Sequence, residues 1–495
     1  MNPAREVESS TPKYFSRFDA LDNSKHPSIF NICGQPNTIA VVTIGPYHHP
    51  ANVRQLITNG PDMNSQPAKK PDDTNHNRSS VPKQQPKIMK SNSSGSSQTS
   101  RQPIITEAKK SAIVLFLETH HELDISQFLG WVRGERVAYA RSCYEKDSFD
   151  MADDGDFAQM LLLDGCLVLF AIFLLSSSLP RPINRKPSKM ADDSPNREQF
   201  VNMCADILFN IKQLRLDLLM LDNQIPFFVV RHLHNQLQKS LFEGIDHSIE
   251  EMAISCFEDI HPKCNYKVDG KIPETSCHLL DLFHWTRSPS GKYKVKRSNF
   301  LPKDPNSHLP SATDLRESAT LFKKKSSGSP LDLSFDCTWF RMRGVMRIPA
   351  LYLHDDSELM FRNLIAFEQR HLKCGLSVTS YSICMAQLLQ SETDAKLLRK
   401  NRILAHTNKS DQEIVYFFKK LSGDYKGTFM PSDLRKLYND VAEHHDSKLA
   451  RVCGGIMLHY FPNPWITISI ACGVILFLAT LANNIHSMYR YYHLH

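Results

Sequence analysis

This 495-residue sequence has none of the short motifs that mark an enzyme. There is no glycine-rich phosphate loop of the P-loop type, no Gly-x-Ser-x-Gly elbow and no His-Glu-x-x-His pair, so those chemistries have no recognisable seat. No Cys-x-x-Cys pair occurs, and the twelve cysteines, irregularly spaced, read as reduced thiols rather than a zinc or disulfide framework. The first 25 residues are polar and broken by prolines, without the apolar core of a secretory signal, so no cleaved leader is expected. No period of about 20 to 50 residues repeats, which argues against a solenoid. The formal charge of +7 is dispersed along the chain, and nucleic acid is not an expected partner.

Weaker hints of metal binding fail for physical reasons. The pairs His48-His49, His120-His121 and His444-His445 place adjacent side chains on different sides of a helix or strand, so turn or solvent positions are expected. In Asp153-Asp154-Gly155-Asp156 a calcium loop would need a glutamate at the twelfth position, where Asp164 stands; a helix-start acidic cluster fits better. No catalytic, cofactor-binding or metal-ligating residue is nominated, and no cofactor is expected.

One feature stands out against these absences. From Pro464 to Ala482 the chain is apolar, and no charge falls between Phe461 and Ile485. A bilayer core needs about 20 such residues as a helix. Trp465 near the start and Leu481 near the end bracket the expected membrane anchor, with Tyr460, Tyr489, Tyr491 and Tyr492 as interfacial aromatics. The lipid bilayer is therefore an expected partner, in a single-pass arrangement. Arg435, Lys436, Lys448 and Arg451 before the run, against Arg490 after it, suit a tail-anchored topology with a cytosolic body; the plasma membrane is one destination this allows. The segment Phe157 to Leu175, interrupted by Asp164 and Gly165, is expected to be a buried core helix rather than a second span.

With 41% hydrophobic and 9% aromatic residues the remainder is globular. Between Gly60 and Pro103, six prolines, nine serines and no aromatic residue leave nothing to build a core, and disorder is expected. The expected division is an N-terminal segment at 1–59, the disordered insertion at 60–103, a helical body at 104–459, the anchor at 460–485 and a tail at 486–495. Polar linkers are expected at Pro180 to Asn196, Pro289 to Pro310 and Lys323 to Pro330. Apolar residues recur at helical spacing, as in Phe200, Met203, Cys204, Ile207, Leu208, Ile211, Leu214 and Leu218, read as one amphipathic face. Strand signals are confined to Leu331–Phe335 and Val345–Leu353. The expected fold is mainly α: a large helical body with a small β-hairpin and a C-terminal transmembrane helix.

Two polar clusters interrupt the apolar pattern. In Leu219-Met220-Leu221-Asp222-Asn223-Gln224-Ile225-Pro226-Phe227-Phe228, Pro226 must end or kink a helix, leaving Asp222, Asn223 and Gln224 to satisfy freed backbone groups at a structural corner. Asp355 followed by Glu358 suggests a capping box opening a helix on which Met360, Leu364 and Phe367 share a face, with Asn363 and Glu368 beside it. Asp164, Asp222, Asn223, Gln224, Pro226, Asn363 and Glu368 are accordingly candidate structural-motif residues.

These motifs carry a resemblance. Ile44-Gly45-Pro46-Tyr47-His48-His49, Ala140-Arg141-Ser142-Cys143-Tyr144, Met160 to Cys166, Leu221 to Phe228, His278-Leu279-Leu280-Asp281-Leu282, Ala312 to Glu317, Arg362 to Gln369 and Tyr460 to Trp465 follow in the order of the plant family known as domain of unknown function 247. The resemblance implies a mainly helical protein with a C-terminal membrane helix and no established enzymatic activity, and it links some grass members to self-incompatibility. The chain departs from the family pattern in having Asp222 as the acidic residue of its Leu-Asp-Asn-Gln block, in the segment before Thr43 and in the long insertion. The leading expectation is a membrane-anchored module that acts through contact with another protein, in recognition or signalling. An enzyme with an unrecognised site and a membrane scaffold remain the alternatives. Catalysis would require Asp164, Asp222, Asn223, Gln224 and Glu368 to converge on an open cleft.

Overall fold

The computed structural model describes residues 42–46, 103–144, 153–176, 195–262, 272–273, 276–288, 300–302, 308–326, 328–337, 342–371, 374–405, 409–423, 429–459 and 464–493. The insertion at 60–102, the pair His48-His49, the block 460–463 and most of the N-terminal segment lie outside them. Seventeen helices dominate the described chain, and its strands form three small sheets.

The amino-terminal half is organised around one helix. Helices α1 (Glu107–His121), α2 (Ile125–Val132) and α3 (Glu135–Ser142) precede α4 (Asp154–Leu175), in which every residue from Met160 to Ile172 is buried. A helix apolar on all sides is stable in water only when neighbours cover its whole circumference. Here α1, α2, α7 (Phe227–Leu237) and α8 (Ile249–Cys256) do so. Asp153 opens α4 by accepting from the Asp156 amide at 3.3 Å, as an acidic helix start should. Gly165 lets α7 cross closely: a Cβ there would lie 2.6 Å from Leu233 Cδ1. Helix α5 (Pro195–Phe209) breaks at Asn210 before α6 (Ile211–Asp217), and the apolar stripe divides with it. Met203, Ile207, Leu214 and Leu218 are buried, but Leu208 faces solvent, which corrects the single-face expectation.

After α9 (Leu279–Arg287) come strand β1 (Phe300–Pro302) and helix α10 (Ala312–Glu317), then β2 (Thr320–Lys325), β3 (Ser334–Cys337) and β4 (Gly344–Pro349). Strands β3 and β4 form the expected antiparallel pair, with Phe335 opposite Met346. A third strand joins them: β2 runs parallel to β4 and makes it central. The linker expected from Lys323 is thus corrected, because the β4 edge pairs with residues through Lys325. Strand β5 (Leu351–Tyr352) precedes α11 (Ser357–Arg370), α12 (Ser377–Leu388) and α13 (Glu392–Lys400) and pairs with β6 (Leu404–Ala405). Helix α14 (Asp411–Gly423) packs on α12, and β7 (Phe429–Pro431) pairs with β1, within the stretch read as a linker. Helices α15 (Ser432–His445) and α16 (Lys448–His459) follow. His444 is fully buried beside Phe335, 5.5 Å between rings, so the solvent position expected for it is overturned by packing against the sheet.

Among the described residues, two helices are long and apolar enough to cross a membrane. One is α4, enclosed in the core. The other is the stretch Ile468–Arg490 of α17 (Pro464–His493), with mean hydropathy 2.0 and no part buried. Its 23 residues rise about 35 Å, enough for a hydrocarbon core of about 30 Å. Leu481, 45% exposed, lies within it, and Trp465 lies in the helix's first turn.

Candidate functional site

Segment 42–46 lies in the body as a short extended piece, and the polar residues around it are those the sequence singles out. Val42 bridges Ile105 in parallel, and both are fully buried, as is Ile44 to 1% exposure. Asp164, midway along α4, accepts from the Gly45 amide at 2.8 Å through Oδ2 and from Lys110 Nζ at 2.6 Å through Oδ1. Lys110 also donates to the Thr43 carbonyl at 2.6 Å and pairs with Glu107 at 2.7 Å. Both Lys110 and Asp164 are fully buried. Burial alone pulls the Lys110 pKa down, but the charges of Asp164 and Glu107 outweigh it and hold the ammonium above its ordinary value. Asn223 accepts from the Ile44 amide at 2.5 Å, and Asp217 accepts from the Val42 amide at 3.2 Å. A strand without sheet neighbours on this side leaves its amides unsatisfied, and these side chains supply the missing acceptors. Gly45 takes φ +79°, with the Gln224 carbonyl oxygen only 2.8 Å from where a Cβ would stand, so a larger residue would be strained and crowded.

The corner at Pro226 closes on itself. Helix α6 ends at Asp217, and Asn223 Nδ2 donates to the Asp217 carbonyl at 2.8 Å. Gln224 Nε2 donates to the carbonyls of Leu218 at 2.8 Å and Met220 at 2.7 Å, while its Oε1 accepts from the Leu280 amide at 3.2 Å. Pro226 then starts α7, whose first amide, on Phe227, donates to Cys277 at 2.8 Å. Asn363 on α11 accepts from the Leu221 amide at 3.0 Å and donates to the Leu219 carbonyl. Asp222 is buried at the same corner, 7% exposed.

Glu368 serves a different pair of helices. Its carboxylate accepts from the Val378 and Thr379 amides at 2.9 and 2.8 Å, from Thr379 Oγ1 at 2.6 Å, and faces His284 Nε2 at 2.7 Å. It therefore caps the amino end of α12 from α11 and ties both to α9. The expected capping box at Asp355 is not what opens α11: Asp356 is the cap residue without a capping side-chain bond, and Ser357 Oγ accepts from the His354 amide at 2.8 Å. Asp356 instead pairs with Lys212 at 2.6 Å.

Ser288, His284 and Glu368 nominally line up as a nucleophile, base and acid, with Ser288 Oγ 3.3 Å from His284 Nδ1. The serine sits one turn beyond His284 and bonds that residue's own carbonyl at 3.0 Å, all three are buried, and the carboxylate is saturated by helix donors. The grouping joins helices and has no solvent face from which a substrate could approach. Two cavities open elsewhere. One of about 440 Å³ lies between α12 and α14, lined by Ile383, Gln387, Gln390 and Lys419; the other, of about 310 Å³, lies by Arg133, Val137 and Asp154. None of the seven motif residues lines either.

Among the described residues no group of three His, Cys, Asp or Glu side chains could hold a metal ion, and none of the ten described cysteines forms a disulfide. Burial pushes the Cys256 and Cys384 thiols up to about 12, keeping them protonated and unreactive. Sequence reasoning missed Lys110, Asp217, His284, Thr379 and Arg287. Lys110 was findable, since it shares the face of Ile113, Val114 and Leu117 and is the one cation on that stripe. Arg287 was not: it donates to the carbonyls of Phe257 at 2.6 Å and Pro262 at 3.0 Å, a match only the folded chain creates.

A family model described as a plant protein of unknown function, DUF247, matches residues 38–479. A UPF0481 protein from Arabidopsis thaliana is 23% identical over 353 residues, covering 68% of this chain and 69% of the relative. A putative UPF0481 protein from the same plant is 26% identical over 170 residues, 34% of this chain and 31% of the relative. No solved structure is significantly similar. The chain belongs to the plant family known as domain of unknown function 247.

Proposed function

We propose that this protein is a single-pass membrane protein whose helical body works by contact with another protein, in recognition or signalling at a membrane such as the plasma membrane, rather than by catalysis. The observation that carries the reading is the stretch Ile468–Arg490 of α17, apolar and wholly exposed, whose surface water would not tolerate. The contact role is supported by how the motif residues are employed: Asp164, Asn223, Gln224, Asn363 and Glu368 satisfy backbone amides and carbonyls inside the body, so their oxygens and nitrogens are committed to the fold.

The test has two arms on the full-length protein. Carbonate washing of native membranes should leave it in the pellet; release to the supernatant overturns the anchor. Proximity labelling from tags on each side of α17 should recover a discrete protein partner on the side of the body. Recovery of generic membrane neighbours alone would favour a scaffold.

A further inference from the structure

Helix α16 has a second face that the body leaves uncovered. Its inner face is set by Gly454, pressed so closely on the end of α10 that a Cβ there would lie 1.8 Å from the Glu317 carbonyl oxygen, and by the fully buried Ala450. That contact fixes the rotation of the helix about its axis. At 100° per residue, Leu449, Val452 and Ile456 then fall within an arc of about 60° on the outward side. They are 55%, 60% and 43% exposed. Lys448 borders the same stripe and is exposed, as is Arg451 farther round, which pairs with Asp446 at 3.1 Å. Apolar side chains one turn apart, flanked by a lysine, form the pattern of a helix lying in a lipid interface.

We propose that this stripe of α16 seats on the bilayer surface, so that the body rests on the membrane on a fixed face instead of swinging on its tether. The inference rests on α17 being the anchor. What selects lipid as the occupant is the short chain between the two helices. Ile456 is twelve residues from Ile468, where the exposed apolar stretch begins. Even fully extended, those residues span no more than about 43 Å, and the part already in helix spans less. Once α17 is inserted, the stripe is held close to headgroups at high effective concentration. Lys448 is placed to meet lipid phosphate while the three apolar side chains reach the acyl boundary.

The test uses full-length protein reconstituted in vesicles of phosphatidylcholine and phosphatidylserine, with V452W on α16 and, as a control, L208W on the exposed face of α5. The added tryptophan emission of V452W should be blue-shifted and strongly quenched by lipids brominated near the headgroup, whereas that of L208W should not change. Both variants keep a large apolar side chain at an exposed site, and unchanged circular dichroism establishes folding. Absence of quenching at Val452 in a chain that resists carbonate overturns the seating and leaves the anchor standing; release by carbonate overturns the anchor itself. A blue shift that grows with protein density but is insensitive to brominated lipid would mean that a second copy covers the stripe, and would also overturn the proposal.

Discussion

If the buried pair of Lys110 and Asp164 holds segment 42–46 in the body, removing one partner should cost more than removing both. In Asp164→Leu, Lys110 keeps Glu107 at 2.7 Å and the Thr43 carbonyl at 2.6 Å, and the Gly45 amide loses its acceptor. Breaking a buried pair costs about 3–5 kcal/mol, and an orphaned amide adds about 1 kcal/mol or more, so with Glu107 compensating in part the loss should be about 4 kcal/mol. Lys110→Met strands the Asp164 carboxylate and the Thr43 carbonyl and should cost about as much. The double variant removes both charges and leaves two orphaned backbone groups, about 2–3 kcal/mol. The cycle therefore predicts that the double variant is destabilised by about 5–6 kcal/mol less than the sum of the singles. The pair sits in one corner of a large body, so the readout is local: native-state hydrogen exchange of the α1 amides and of Ile44 and Gly45 in the full-length protein. The effect has a pH signature. Because the folded state raises the Lys110 pKa above its ordinary 10.5, the stabilisation is fully present below that value and is lost as pH climbs through the higher folded value. The cost of Asp164→Leu should thus be constant from neutral pH up to the ordinary value of 10.5 and shrink only beyond it. Additivity of the two singles within about 0.5 kcal/mol would refute the coupling.

Three further outcomes follow from the same kind of bookkeeping. Glu368→Gln puts an amide donor where four donors already converge, and should loosen the first turn of α12 by about 3 kcal/mol in local exchange; a change below about 0.5 kcal/mol would mean the cap is not charge-assisted. Gly454→Ala sets two effects against each other: helix propensity favours alanine by about 1 kcal/mol, whereas the Glu317 carbonyl 1.8 Å from the new Cβ forces α16 off α10. The clash should win, with a lower melting temperature and faster exchange in both helices, and a stabilised variant would show that the helices do not meet as described. His232 stacks on Trp131 at 3.6 Å, and burial, with the Arg136 charge second, pushes its pKa down to about 4 from 6.5. The unfolded chain binds that proton more readily, so stability should fall as pH drops from 6.5 towards 4, and His232→Phe should flatten this limb in thermal melts recorded across the window; an unchanged limb would refute the assignment.

Much of the architecture could be read from periodicity and from single residues with strong backbone preferences. Pro226 had to interrupt a helix, and α7 begins after it. The apolar run through Phe157–Leu175 had to be enclosed or inserted in lipid, and the Asp164-Gly165 interruption pointed to enclosure. The hairpin of β3 and β4 was visible because alternation and β-branched residues act locally. The strand β2 was not, because Phe322-Lys323-Lys324-Lys325 is polar enough to look like a linker, and only the free edge of β4 makes it a strand. Leu208 was misplaced for a different reason: four residues after Cys204 it falls at the margin of the apolar face, about 100° round the helix from the buried Ile207, and the packing leaves that margin in solvent.

What the one-dimensional chain determined by itself was which residues must leave water, since that depends on side-chain chemistry and on a helical repeat of 3.6. Which polar group meets which was decided only by the fold. Asp164 with Gly45 spans 119 residues, Asn223 with Ile44 spans 179, and Glu368 with His284 spans 84. A buried hydrogen bond is selected by geometry of a few tenths of an ångström across a packed interior, and no pattern of neighbours in sequence encodes that distance.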